Sequence, residues 1–525
     1  MPPTWVVTIP PLLVIATVLM TRHMILSFAV GIFSGALITT KGNLFESVLL
    51  SLTKLWENSG LKGVNSISSF LGSWNLLTFI FLIFLGILIV MLTKTGAAQA
   101  YIDVVRKKVH SKKSVEVASL VLSLFFFIDD YFSALTVGSV MRPLAQLYSV
   151  HPLKMAFLTT AMSSPITILV PLSSWIGEIM LQLKQIGISL DSEPIWVKAD
   201  PYFVLIKTIP YLMYPLILFV STWYIVLRGI SYGPMKKYEK KGALLPSPES
   251  FPSSPHSSLW EFLFPLFLLG FTVFTMILYT GNSVLMGGTH SFIEALKHAS
   301  MHQALFTGGL ISVVASGCYF IAKKTLTLRT FARCISEGFN LMAPSLLMLI
   351  CAWSLGSILK NELQTGSYLA TLLSPLITVE FFPVLCFIFA GIVSCMIGSA
   401  WATIGLMFPI VTGMLQKFSS MPGTAYLESF PLLLPALGAT LSGCIAGTHF
   451  SVLSDNPIMS SASTGASHIE HLKTMSWYLI PVTLATTVSF TLMGILPALP
   501  APLVCAVGAA SSCILLEMGQ KLWSH

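Results

Sequence analysis

Nine stretches of this chain, 5–21, 24–39, 76–93, 203–227, 260–280, 304–322, 339–359, 476–496 and 499–517, carry almost no charge over a length of roughly 16 to 25 residues. About 20 apolar residues match about 30 Å of hydrocarbon, and in lipid every backbone N–H and C=O must find its partner within the protein. Each stretch therefore reads as a helix. Four longer apolar stretches, 115–147, 152–183, 382–414 and 431–465, are interrupted by polar or helix-breaking residues. Together they predict an all-α polytopic membrane protein with 11–13 transmembrane segments, some broken or re-entrant. Composition agrees, with 54% hydrophobic and 10% charged residues and a mean hydropathy of +0.82. No basic residues precede the apolar stretch 5–21 and no small-residue cleavage site follows it, which makes it a retained helix and not a signal peptide.

The net charge of +8 speaks first about orientation. Basic residues gather in three connections: Arg106, Lys107, Lys108, Lys112 and Lys113; then Arg228, Lys236, Lys237, Lys240 and Lys241; then Lys323, Lys324, Arg329 and Arg333. The positive-inside rule makes all three cytoplasmic, and with Arg22 also inside the N-terminus falls outside. Charges scattered over inter-span loops without an aromatic-bearing face exclude a nucleic-acid partner. All eight cysteines lie at or beyond Cys318 and no CxxC pair occurs, so neither a disulfide framework nor a metal cage is expected. They read as small core residues.

The long hydrophilic stretch 229–258, rich in Ser and Pro after its lysines, divides the chain into a first transmembrane half, 1–228, and a second, 259–496, followed by an extra C-terminal helix in 497–525. The halves echo each other. Trp74-Asn75-Leu76 answers Phe339-Asn340-Leu341, and Ser133-Ala134 with Met141 and Pro143 answers Ser399-Ala400 with Met407 and Pro409, about 265 residues apart in each case. Span 76–93 ends at a basic loop whereas 339–359 begins at one, so the repeat is inverted, the build many secondary transporters use for alternating access. An even number of crossings must separate the first two basic loops, yet three apolar blocks lie there. At least one of 115–147 and 152–183 must double back.

Two adjacent carboxylates, Asp129 and Asp130, sit inside 115–147. An ionised carboxylate at membrane depth costs about 2.5 kcal/mol or more, so such residues face a bundle interior or a watery cavity and mark an ion or substrate path. They could coordinate a hard cation with hydroxyls and carbonyls, or shuttle a proton. A structural ion pair with Arg142 is the alternative, if the helix breaks. Helix breakers recur at Pro165 and Pro171, before Ser173-Ser174-Trp175, and at Thr448-His449-Phe450-Ser451 running to Ser454-Asp455-Asn456-Pro457. Irregular backbone at membrane depth is tolerated where it lines a cavity.

The string Phe127-Ile-Asp-Asp-Tyr-Phe-Ser-Ala-Leu-Thr-Val-Gly-Ser-Val-Met-Arg-Pro143, with Ser164-Pro165, Val170-Pro-Leu-Ser-Ser-Trp175, Gly398-Ser-Ala-Trp401 and Leu441-Ser-Gly-Cys-Ile-Ala-Gly-Thr-His449, resembles the NhaC-type sodium/proton antiporter family of the ion transporter superfamily. The likeness spans roughly 70–475. It implies a multi-pass inner (plasma) membrane protein that exchanges a cation for protons, with some relatives carrying organic acids or amino acids instead. This chain departs from the pattern the resemblance implies at Thr160 and Thr448, where aspartates are expected, and at Ser451-Val-Leu-Ser-Asp-Asn-Pro457. Two lost carboxylates remove two acceptors for a proton or cation.

The candidate ion- or substrate-binding residues are thus Asp129, Asp130, Ser173, Ser174, Ser399, Thr403, Thr448, His449, Ser451, Ser454, Asp455 and Asn456. His449 could also relay protons. His468 and His471 have no third ligand near in sequence, so no resident metal or other cofactor is expected, only transported Na⁺ or H⁺. Without HExxH, GxxxxGK[ST] or GxGxxG the chain reads as no enzyme and no ATP-driven pump. The leading expectation is secondary active Na⁺/H⁺ antiport. The alternative is ion-coupled transport of an amino acid or carboxylate on the same scaffold. Its partners are membrane lipid and a small ion or solute, with a homodimer left open.

Overall fold

The computed structural model describes residues 5–523 apart from 22, 98–107, 128, 172, 190–194, 242–257, 293, 296–298, 366–367, 369–377, 420–426, 428–429 and 453. The described chain is helical throughout except for loops and one two-residue parallel pair, Ile188–Ser189 with Val197–Lys198. Two apolar helices, α1 (Ile9–Thr21) and α2 (Met24–Thr39), pack as a hairpin. α3 (Leu44–Asn58) is an amphipathic helix that apolar length alone does not reveal, with Leu44, Phe45, Leu49, Leu52 and Trp56 exposed along it. The Asn43 side chain caps it, and Lys54 pairs with Glu362 at 2.8 Å. α4 (Trp74–Lys94) then crosses.

Of the two stretches that parity leaves open, 115–147 is the one that doubles back. α5 (Lys112–Phe125) and α6 (Asp130–Leu147) form a re-entrant hairpin. Its two ends meet where Tyr148 donates its hydroxyl to the Val109 carbonyl at 2.6 Å, beside Lys112 and Lys113 of the basic face. The stretch 152–183 is instead a broken crossing, α7 (Pro152–Leu169) and α8 (Ser174–Gln185). The expected single span 203–227 is also divided, into Pro201–Thr208, a tight turn at Ile209–Tyr211, and α9 (Met213–Arg228). Pro210 has no N–H to continue the helical ladder.

The stretch 229–258 begins as structure. α10 (Gly233–Lys241) straps the basic end of the bundle: Glu239 takes Lys112 at 2.8 Å, and Lys236 donates to the Trp523 carbonyl at 2.6 Å. Most of the remaining linker, like Arg22, Arg106 and Lys107 of the basic loops, lies outside the described residues. α11 (Leu259–Thr280), α12 (Met301–Ala322) and α13 (Leu328–Ser357) follow, the last starting well before position 339. α4 crosses α13 where Gly86 meets the Gly338 backbone, so closely that a Cβ would collide, and Lys94 pairs with Glu337 at 2.6 Å.

The second half repeats the motif upside down. α14 (Phe382–Ile397) and α15 (Ala400–Ser419) turn at Gly398, whose φ of +79° is the left-handed conformation a glycine takes without strain. α16 (Leu433–Phe450) and α17 (Asp455–Thr464) form the second broken crossing, and α18 (His468–Ile495) and α19 (Ala501–Leu522) complete the chain. α18 starts on the face that bears the basic loops, where Tyr232 donates to the Trp477 carbonyl at 2.6 Å, and ends on the opposite face with Gly494 against the Glu380 carbonyl just before α14. After α15 the chain returns to that opposite face, where Phe430 packs on Trp196 with ring centroids 5.0 Å apart. The two hairpins open toward opposite faces, as an inverted repeat requires. Eight of the described helices are by themselves long and apolar enough to span a bilayer. The innermost elements are α7, buried from Pro152 to Ile168, and α16, buried from Pro435 to His449.

Candidate functional site

All four helix breaks meet at one place. The tip of the first hairpin brings Asp130 and Tyr131, and the first broken crossing brings Ser164 and Trp175. The second hairpin brings Gly398, Ser399, Ala400 and Trp401, and the second broken crossing Thr448, Ser454, Asp455 and Asn456. The space they enclose is about 10 Å³, room for one water-sized body. Each break is local: α6, α8, α15 and α17 all begin here, so the N-terminal ends of four half-helices, with their unpaired N–H groups, converge on the cavity.

Asp130 is 3% exposed and is held from both halves. Ser164 donates to Oδ2 at 2.9 Å, the Trp175 indole to Oδ1 at 3.2 Å, and the Asn456 amide to Oδ2 at 3.5 Å. A buried carboxylate loses several kcal/mol of hydration, while each hydrogen bond to a charged group returns about 1.5–3 kcal/mol. Three donors and the start of α6 therefore hold Asp130 at a position that lipid would forbid. Asn456 is itself fixed, donating to Ser163 at 2.9 Å and to Ser164, and accepting from Ser163 at 3.0 Å. Asp455, half-buried at the first residue of α17, accepts from the Tyr131 hydroxyl at 3.5 Å. Each acid sits in the first turn of its half-helix, whereas α8 and α15 carry none there. Of the four half-helix starts, two are neutralised from within the chain and two are not.

The expected residues divide. Asp130, Ser399, Thr448, Ser454, Asp455 and Asn456 line the cavity. Asp129, just before the helix start at Asp130, is buried but is not among the lining residues. Thr403 bonds back to the Ser399 carbonyl at 2.8 Å, and Ser451 is buried at the α16 end. His449 turns away, with Nδ1 3.0 Å from the Tyr214 hydroxyl. Ser173 is fully buried at the start of α8, and the side chain of Ser174 lies outside the described residues. Arg142 packs its guanidinium on Gly465 at the turn into α18.

Tyr131, Ser164, Trp175 and Trp401 are lining side chains that sequence reasoning does not single out. A signal exists for the tryptophans: Ser-x-Trp stands at the start of both α8 (Ser173-Ser174-Trp175) and α15 (Ser399-Ala400-Trp401). Their rings lie 5.4 Å apart beside the cavity. Only Trp175 donates to Asp130; the Trp401 indole N–H, buried, has no partner among the described residues.

Comparison with known proteins agrees with this architecture. The crystal structure of the YdaH transporter of Alcanivorax borkumensis, described as having an unusual topology, matches with a TM-score of 0.53 over 89% of this chain and 91% of that one, at 13% identity, a likeness of fold alone. An uncharacterized protein of Haemophilus influenzae is 26% identical over 493 residues, covering 93% of this chain and 90% of that protein. Residues 166–495 match the profile of the Na⁺/H⁺ antiporter family. The match begins at the end of α7 and takes in α8, the second hairpin and the second broken crossing, leaving the first hairpin outside it, and the fold and family are those of multi-pass membrane transporters, not of enzymes. With inverted hairpins around a carboxylate-lined cavity and that match over most of its length, this chain belongs to the Na⁺/H⁺ antiporter family.

Proposed function

We propose that this transporter exchanges Na⁺ for H⁺ across a cell's inner membrane, with Asp130 and Asp455 as the residues that hold either one. The observation that carries the reading is that one carboxylate from each half faces a single cavity of about 10 Å³. Two ionised carboxylates sharing so small a space repel, and either a cation between them or a proton on one of them relieves the repulsion. Cation and proton thus compete for one site, and competition at a site that faces the two membrane sides in turn is antiport. Hydroxyls of Ser164, Ser399, Thr448 and Ser454 supply the neutral oxygens a hard cation takes alongside carboxylates.

One observation favours a second reading. The unpartnered Trp401 indole N–H and the acid-free start of α15 could receive the carboxylate of an amino acid or other organic solute, coupled to Na⁺ or H⁺. Proteoliposomes separate the two: internal pH is followed while Na⁺, K⁺, Li⁺ and candidate amino acids are added in turn. Proton efflux on Na⁺ addition alone supports antiport. Flux that requires an organic solute overturns it in favour of the second reading.

A further inference from the structure

One polar array begins at two of the cavity's lining residues, Ser164 and Asn456, and runs away from it. α7 and α17 face each other across a seam of hydroxyls: Thr160, Ser163 and Ser164 on α7, spaced so as to share one helical face, and Asn456, Ser460 and Ser461 on α17. At its far end stands His471, fully buried in the first turns of α18. Its Nε2 lies 3.4 Å from the Thr160 hydroxyl and its Nδ1 2.8 Å from Ser461. Ser461 in turn lies 3.5 Å from Nδ1 of His468, a partly exposed residue where α18 begins on the cytoplasmic side. A structural histidine needs only one such partner. Here both ring nitrogens are engaged by hydroxyls that continue in opposite directions, one toward Asp130 through α7 and one toward the cytoplasmic surface. The titratable groups bearing on His471 are His468 on its own helix and His449 from α16.

We propose that this seam is the proton path between the cavity and the cytoplasm, with His471 as its obligatory carrier. The inference rests on the antiport reading. A proton leaving Asp130 Oδ2 passes to Ser164, which already bonds that oxygen at 2.9 Å. Ser164 and Thr160 stand one helical turn apart, so the proposed path needs a water to carry the proton between the two hydroxyls. Thr160 then gives its own hydroxyl proton to His471 Nε2 as it accepts the incoming one, so one O–H bond breaks and one N–H bond forms. The imidazolium releases its other proton from Nδ1 to Ser461, Ser461 passes one to His468, and His468 delivers it to cytosolic water. Each hydroxyl gains one proton and loses one, and His471 returns neutral. Na⁺ has no use for this route, since the seam offers an imidazole in place of a cation's oxygen ligands.

The test compares two fluxes in the same vesicles: Na⁺-driven proton movement, and exchange of labelled Na⁺ for unlabelled Na⁺, which moves no proton. In His471→Gln, which keeps a polar side chain but cannot carry a proton, the first should fall about 10-fold or more with the second within about 2-fold of the wild type. Thr160→Val, a milder change, should give the same split in smaller measure, and His468→Gln should slow proton release to the cytoplasmic side. Equal loss of both fluxes in His471→Gln and Thr160→Val would make the seam structural and overturn the proposal, as would unchanged proton flux in His471→Gln. Wild-type vesicles with labelled-Na⁺ exchange but no Na⁺-driven proton flux would overturn the antiport reading itself, an outcome recognisable before any variant is made.

Discussion

The two re-entrant hairpins share a shape and differ in chemistry. The first turns at Asp129-Asp130-Tyr131 and puts an acid at the start of its second helix; the second turns at Gly398-Ser399-Ala400-Trp401 and puts none there. In the broken crossings the assignment is reversed, with Ser174 opening α8 and Asp455 opening α17. The repeat has therefore kept the scaffold in both halves and one carboxylate in each, but on different members of the motif. Shape can be duplicated freely, because backbone bonds satisfy themselves within each helix. A second pair of acids would add two more charges to a cavity with room for one small ion.

The comparison breaks most easily at the acids. Asp130→Asn and Asp455→Asn should each lower Na⁺-driven proton flux about 100-fold or more, since removing one charged partner from a buried site costs about 3–5 kcal/mol. Flux assays alongside a detergent unfolding midpoint check this, and normal flux in both variants would leave the acids as helix-start residues only. Next in size is Gly138→Val on α6, where any Cβ would meet the Ser463 side chain of α17. Overpacking there should cost about 2–3 kcal/mol, read as a lower unfolding midpoint, and an unchanged midpoint would show that the two halves can part at this point.

Thr448→Asp adds a third acid to the cavity and should steepen the dependence of flux on pH, because one more proton then competes with each cation. A proton flux already steep and electrogenic in the wild type, and unaltered by this change, would mean that the threonine never limited coupling. Smaller again, Trp175→Phe removes a donor to Asp130 and should weaken apparent Na⁺ affinity about 3- to 10-fold, whereas Trp401→Phe removes an N–H without a partner among the described residues and should leave it within about 2-fold. The reverse order would shift the balance toward a carboxylate-bearing solute. The smallest effect belongs to Asp129→Asn, expected within about 2-fold. A loss as deep as that of Asp130→Asn would place both acids of the first tip in the transport path.

Much of this was legible in the residues, for identifiable reasons. Parity between the basic loops required one block to double back, but only the Tyr148 to Val109 contact decides that it is 115–147. Acids stand out in apolar sequence because lipid penalises them, so Asp130 and Asp455 could be picked without a fold. Asp129 could not be told from Asp130, since what separates them is where a helix begins. Trp175 and Trp401 were hidden because a tryptophan in a transmembrane stretch looks the same whether it faces lipid or a cavity. α3 was hidden because amphipathic helices average their hydropathy away, and α10 because a run of lysines reads as a linker until its apolar side has something to cover.

The inner half-helices cross over between the halves. α17 of the second half packs on α6 and α7 of the first, and α8 of the first packs on α15 of the second, with the two tryptophans at that contact. The joint is a mortise rather than a seam between two finished blocks. A gene cut within 242–257 would yield two polypeptides that each carry one hairpin, one broken crossing and a single cavity-lining acid, and neither could close a cavity around anything. Only co-expression of both pieces in one membrane would rebuild the site, and such a split pair would report, through restored flux, how much of the architecture is encoded by contact and how much by continuity of the chain.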